Sequence, residues 1–156
     1  MAPDANTRAL LEQLKSNVAA LPVHFHFDAD LDCLRNLYRR ASIYWHATGY
    51  GSIAQNDPSA QEHFGMTTVE AMSAGAVPIV INSGGQKEIV TQGRNGFLWD
   101  ELDELSRETT RLITDANLLE RMSKEAVSAS SKFGRAIFVA NMERVIDRVL
   151  KQDATT

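Results

Sequence analysis

Two glutamates eight positions apart, Glu62 and Glu70, flank a glycine at Gly65 in the segment EHFGMTTVEAMSAGA. The helical pattern that follows Gly65 marks a helix start, where the N–H groups of Gly65, Met66 and Thr67 find no intrahelical carbonyl. With the positive end of the helix dipole behind them, these amides make a site for phosphate or another anion. Glu62 precedes that start, and Glu70 falls near the second helical turn. An anion site between two carboxylates suits a ligand carrying hydroxyls on both sides of its phosphates, as a nucleotide sugar does.

The elements that must hold this segment alternate between helix and strand. Residues 7–20 place Leu10, Leu11, Leu14 and Val18 at helical spacing, and Pro22 then opens a short β-rich run, PVHFHF, over 22–27. Asp28 or Asp30 caps a second helix bearing Leu31, Leu34, Leu37 and Tyr38, ahead of the β-rich SIYWHA at 42–47. The helix from about 65 to 74 closes at Gly75 in the C′ position. VPIVI at 77–81 is apolar at consecutive positions, as in a parallel strand covered on both faces. A Gly84-Gly85 turn, a short helix through Val90, GFLW at 96–99 and an all-helical stretch from Glu101 to about Lys151 complete the pattern. The alternation predicts an α/β fold: one Rossmann-like domain over 1–156, with an open parallel sheet of about four strands, helices on both faces and a helical C-terminus. In such sheets ligands bind beyond the carboxyl ends of the strands, where segments 47–65 and 82–87 lie. Glu62, the Gly65 helix start and the Gly84-Gly85 turn therefore converge on one edge.

Composition narrows the function. The chain has 156 residues, 44% of them hydrophobic, enough for one domain with a core. Sixteen basic against twenty acidic residues give a net charge of −4, which offers no broad footprint for nucleic acid or an anionic membrane. No apolar run reaches the ~18 residues of a transmembrane segment. The opening MAPDANTRALLEQL lacks the basic and apolar regions of a signal peptide, so a cytoplasmic location is the default. The lone Cys33, on a helical pattern, reads as a packed core cysteine and excludes a disulfide framework.

Residues 31–100 resemble the C-terminal, nucleotide-sugar-binding half of retaining glycosyltransferases with two Rossmann-like domains, the group 1 or family 4 type. That family includes sucrose synthases and many bacterial mannosyl- and glucosyltransferases. LYRRASIYWHATGYG, EHFGMTTVEAMSAGAVPIVINSGGQKEIV and GRNGFLW carry the resemblance, in the family's order. It implies that Glu62 is the catalytic residue that binds hydroxyls of the donor sugar, and that Glu70 holds the ribose hydroxyls. It also implies that the amides of Phe64, Gly65, Met66 and Thr67 meet the sugar and diphosphate of a UDP- or GDP-sugar. No metal or other cofactor is expected, since a helix N-terminus can stabilise charge growing on the departing diphosphate. Glu62 is cast as a sugar-positioning group. A hydrolase would set its two carboxyls ~5–9.5 Å apart across one glycosidic bond, without a phosphate-binding helix start between them.

Other polar residues have plainer readings. Asp28-Ala29-Asp30 is a cap rather than a metal site, and His24 and His26 lie on one face of the expected strand as packing or surface residues. His46 closes a strand at the ligand end of the sheet, which makes it a candidate donor contact. Trp45 and Trp99 read as core or rim aromatics, Arg39-Arg40 as a solvated helix end, and Lys87 as an exposed lysine within reach of a phosphate. Against the family pattern, the chain lacks an acceptor-binding domain, the family's first strands and the basic residues that clamp the diphosphate. The strands at 22–27 and 42–47 must then pair directly, leave a gap or recruit strands from another chain. The expectation is a donor-binding part that is inactive alone and completed by a missing N-terminal acceptor domain, a partner chain or a homo-oligomer. The alternative is a non-catalytic interaction module, using the amphipathic pattern Phe138, Val139, Met142, Val145, Ile146 and Val149.

Overall fold

The computed structural model describes residues 5–51 and 61–153. The chain divides into two compact units, one ending at Cys33 and one beginning at Leu34. In the first unit, helix α1 (Ala5–Asn17) is followed by a segment whose residues 22–27 have no regular structure. The strand expected there does not form. A strand is held by ladder bonds to a neighbour, whereas the bond recorded at this segment's start is a local one, from the Val23 N–H to the Leu21 carbonyl at 2.8 Å. His24 and His26 are both exposed, so they do not line a strand face, and the rings of Phe25 and Phe27 stack 6.2 Å apart. Asp30 Oδ1 accepts the Cys33 N–H at 2.8 Å, which caps helix α2 (Leu31–Arg40). Cys33 is half-buried rather than part of the core, its Sγ 3.9 Å from His26 Nδ1.

The second unit holds the sheet: β1 (Ile43–His46), β2 (Val77–Ile81) and β3 (Phe97–Trp99), all parallel in the order β1-β2-β3. Three strands form among the described residues, against about four expected, and the missing one is 22–27. Ile43 stands opposite Val77, and Ile79 opposite Phe97. β2 is central and buried at every position, which accounts for its unbroken apolar run. Its side chains alternate between two cores. Val77, Ile79 and Ile81 pack with Phe97, Trp99, Leu112, Leu118 and Met122, while Val80 packs with Met72, Ile89, Val90 and Ala126. A proline is unusual in a central strand; Pro78 is accommodated by Gly96, where a Cβ would lie 2.6 Å from the proline Cγ.

Helix α3 (Met66–Ser73) joins β1 to β2, and α4 (Gln86–Ile89) joins β2 to β3. Gly75 just past α3 has φ +96°, the left-handed conformation of a C′ glycine. The helical C-terminus is broken into α5 (Leu102–Thr114), α6 (Ala116–Ser130), a 3-10 turn at Ser131–Phe133 and α7 (Arg135–Asp153). Asp115 makes the first break: its backbone is extended and its carboxylate accepts the Leu118 N–H at 2.9 Å, capping α6. The apolar residues of α7, including Phe138, Val145 and Leu150, are exposed. No helix among the described residues is long and apolar enough to cross a membrane.

Burial of Thr68, Ala71 and Met72 fixes α3 on the sheet. Met72→Ala removes a fully buried side chain from the second core and is expected to destabilise the chain by about 2–5 kcal/mol, read as a lower urea midpoint.

Candidate functional site

Residues two apart on a strand share a face, so β1 presents Tyr44 and His46 together. Tyr38 of α2 extends the row. Its ring lies 6.4 Å from that of Tyr44, which is in turn 6.4 Å from the His46 ring. Each member of the row faces a group on α3 or the loop before it. The Tyr38 hydroxyl donates to Glu70 Oε2 at 3.4 Å, the Tyr44 hydroxyl donates to Thr67 Oγ1 at 2.8 Å, and His46 Nε2 lies 3.5 Å from Glu62 Oε2. Burial, and next the nearby Glu70 carboxylate, push the Tyr38 phenol up to about 12.

Glu62 folds back onto the helix start. Its Oε1 accepts the Phe64 N–H at 3.3 Å and the Gly65 N–H at 3.1 Å, so the chain's own carboxylate takes two of the amides expected to meet an anion. The Thr68 and Val69 N–H groups go to the Gly65 carbonyl at 3.0 and 3.2 Å. Met66 and Thr67 are thereby left as the leading amides of α3, with no intrahelical acceptor. The Phe64 ring meets Phe133 edge-on, 5.6 Å between centroids.

The Gly84-Gly85 turn holds this loop by direct backbone contact. The Gly85 N–H donates to the Glu62 carbonyl at 2.8 Å. A Cβ at Gly84, whose φ is +53°, would sit 2.2 Å from that same oxygen. Gln86 follows immediately and is fully buried. Its Nε2 lies 3.3 Å from His46 Nδ1, while its Oε1 is buried with no partner. Such an orphaned acceptor costs roughly 1–3 kcal/mol. Gly65 makes room for the amide, since a Cβ there would come within 2.9 Å of Nε2.

A cleft of about 510 Å³ opens beyond the carboxyl ends of β2 and β3, where the sheet topology directs a ligand. Gly49, Tyr50, Gln61, Asn82, Lys87 and Asp100 are among its walls. Asn82 Nδ2 donates to Asp100 Oδ2 at 3.0 Å across the tips of the two strands. Lys87, read as exposed, is exposed and lines this cleft.

The structure thus brings Glu62, His46, Phe64, Gly65, Met66 and Thr67 to one strand end, with Glu70 one turn further along α3. Trp99 is core and Trp45 is exposed, its Nε1 donating to Thr109 Oγ1 at 3.1 Å. Sequence reasoning missed Gln86, Tyr38 and Tyr44. Gln86 stands three and four positions before Ile89 and Val90, a helical spacing that places it on their buried side. Among the described residues, no three His, Cys, Asp or Glu side chains gather as a metal site.

The glycosyl transferases group 1 family profile matches residues 8–128. The chain belongs to that family. A GDP-Man:Man(3)GlcNAc(2)-PP-Dol alpha-1,2-mannosyltransferase from Dictyostelium discoideum is 28% identical over 154 residues, covering 96% of this chain and 28% of the relative. Sucrose-phosphate synthase from Thermosynechococcus elongatus superposes with a TM-score of 0.74 at 20% identity, over 97% of this chain and 36% of that one. HepE from Anabaena, solved in complex with UDP-glucose, gives a TM-score of 0.66 at 24% identity, over 93% and 37% of the two chains. At those identities the two structures show a shared fold. The chain spans little more than a quarter of its Dictyostelium relative.

The raised Tyr38 phenol predicts a pH dependence. A folded-state value above the unfolded one of about 10 means a contribution fully present below pH 10 that is lost as pH rises toward about 12. The stability difference between the native chain and Tyr38→Phe should be flat below pH 10 and shift over that window, as read by denaturant unfolding at stepped pH.

Proposed function

We propose that this group 1 glycosyltransferase chain carries the donor-binding portion of a retaining enzyme that transfers a hexose from a UDP- or GDP-sugar to an acceptor. The observation that carries the reading is the meeting of Glu62, His46 and the α3 N-terminus at the carboxyl edge of the parallel sheet. In this reading Glu62 accepts hydroxyls of the donor sugar, and His46 contacts the donor from the strand end. The amides of Phe64, Gly65, Met66 and Thr67 face the sugar and the diphosphate, where the dipole of α3 favours the charge that develops as the bond to the anomeric carbon breaks. Glu70 takes the ribose hydroxyls; a carboxylate has room for about four hydrogen bonds, so the Tyr38 hydroxyl does not exhaust it. The neighbours' names support the substrate class: the Dictyostelium relative is named for GDP-mannose, and HepE was solved with UDP-glucose. No metal is assigned a role, because the helix start supplies the positive potential.

The 156-residue chain is proposed to bind the donor without transferring sugar, the acceptor site lying in an N-terminal domain or partner chain. A second reading, a non-catalytic interaction module or homo-oligomer, draws on the exposed apolar row of α7.

Calorimetric titration with UDP- and GDP-sugars should show binding that is unchanged by EDTA and weakened by roughly tenfold in Glu70→Ala, the loss of charged hydrogen bonds to a ribose. Absence of binding at millimolar ligand would sink the donor-site reading. In a radiolabelled-donor assay the chain alone should transfer nothing, and turnover would refute its insufficiency.

A further inference from the structure

Gln86 is a buried polar residue that the donor-site roles leave unused. We infer that it is a positioning residue, holding His46 as the neutral Nε2–H tautomer with this N–H on the side of the ring where Glu62 and Thr48 stand. The functional consequence rests on the donor-site reading above; the geometry does not.

The side-chain amide nitrogen of Gln86 carries only donors, and it stands 3.3 Å from His46 Nδ1. Nδ1 must then be the unprotonated, accepting nitrogen, and the ring proton sits on Nε2. The far side of the ring is compatible with this tautomer. Nε2 faces Glu62 Oε2 at 3.5 Å and the Thr48 hydroxyl at 3.2 Å, and a lone pair there would be repelled by the carboxylate. With the proton on Nε2, a neutral ring shows its lone pair at Nδ1, and only the NH₂ end of Gln86 can meet it. The reverse amide orientation suits a ring protonated at Nδ1. The amide orientation and the ring tautomer are thus set as one pair, with a Gln86 Nε2–H meeting the lone pair at Nδ1.

The surroundings are built for this contact. Gln86 is fully buried and the His46 side chain is 9% exposed, so water does not compete at Nδ1. Gly65 leaves the space that the amide occupies. The amide oxygen meanwhile has no partner. An apolar residue of the same length would fill the site without that orphan, so packing alone does not account for a glutamine here. The relay then runs from Gln86 through His46 to Glu62, whose other oxygen is held by the amides of Phe64 and Gly65. It sets the carboxylate proposed to receive the sugar between the His46 ring and the α3 start.

The test is side-chain ¹⁵N NMR of His46 in the full chain at neutral pH. The native protein should show Nδ1 in the unprotonated range and Nε2 in the protonated range. Gln86→Met, which keeps the volume and removes the donor, should mix the two tautomers and move both shifts toward each other. Gln86→Glu, which places an acceptor at Nδ1, should move Nδ1 into the protonated range. Donor affinity should fall by about two- to tenfold in Gln86→Met, one hydrogen bond's worth. A native spectrum with Nδ1 protonated overturns the assignment, whether or not the variants fold, and so does a folded Gln86→Met with unchanged His46 shifts. If the shifts behave as stated but no nucleotide sugar binds, the positioning role stands and the donor-site reading fails.

Discussion

The backbone contact between the Gly84-Gly85 turn and residues 62–64 is the constraint from which the site is built. A Cβ at Gly84 would lie 2.2 Å from the Glu62 carbonyl oxygen, and one at Gly85 would lie 2.5 Å from that of His63. Neither chain segment can yield such distances by rotating a side chain. The exit of β2 and the entry to α3 are therefore locked together, with the Gly85 N–H bonded to the Glu62 carbonyl. Glu62 starts from a fixed position as a result. The same turn begins α4 and sends Gln86 beneath Gly65, so one contact aligns the carboxylate, the histidine's amide partner and the helix start. Each glycine costs roughly 0.5–1 kcal/mol of chain entropy relative to alanine; a Cβ at Gly84 or Gly85 would cost the contact itself.

Much of this architecture was written in local pattern. VPIVI is a strand at the stated residues because a central parallel strand needs apolar side chains on both faces, and no competing element has that signature. Gly75 and Asp30 announced a helix end and a helix start by chemistry that acts within a few residues. The strand at 22–27 was misread for the opposite reason. PVHFHF has strand composition, but a strand exists only with a neighbour to bond, and partnership is not a local property. The single helical stretch from Glu101 was similarly too coarse. Asp115 reads as an ordinary charged residue until its carboxylate is seen to accept from Leu118, and the break is made by that cap.

The candidate site was legible where it rests on a backbone feature and less so where it rests on a packed side chain. Glu62, Gly65 and Glu70 stand out through their spacing about a helix start, and His46 as a polar residue closing an otherwise apolar strand. The tyrosines were not legible as site residues. Tyr38 entered the sequence only as part of an apolar helical stripe, and Tyr44 only as β-rich composition, since a phenol's burial hides what its hydroxyl meets. Their partners, Glu70 and Thr67, lie 32 and 23 residues away. Gln86 was overlooked because a glutamine beside a glycine turn is ordinarily a surface residue. The apolar periodicity of Ile89 and Val90 contained the contrary signal.

The position of Glu62 bears on how a donor would enter. The Glu62 carboxylate is itself an anion at the α3 N-terminus, held by two amides and by a dipole worth roughly 0.3–1 kcal/mol. On the proposed reading a diphosphate arrives at the same helix end. Two unit charges 4 Å apart near a protein surface repel by about 4 kcal/mol, comparable with the two amide hydrogen bonds to the charged carboxylate at about 1.5–3 kcal/mol each. On that reading the phosphate and the carboxylate compete for the same amides. His46 Nε2 and the backbone contact at the Glu62 carbonyl restrict where the carboxylate can turn, and the donor's sugar hydroxyls can replace the lost amides. A carboxylate displaced by phosphate and recaptured by hydroxyls recognises both halves of one ligand. On the proposed reading, a donor whose hydroxyls reach Glu62 compensates the carboxylate for amides it yields to phosphate, whereas a nucleoside diphosphate without its sugar does not.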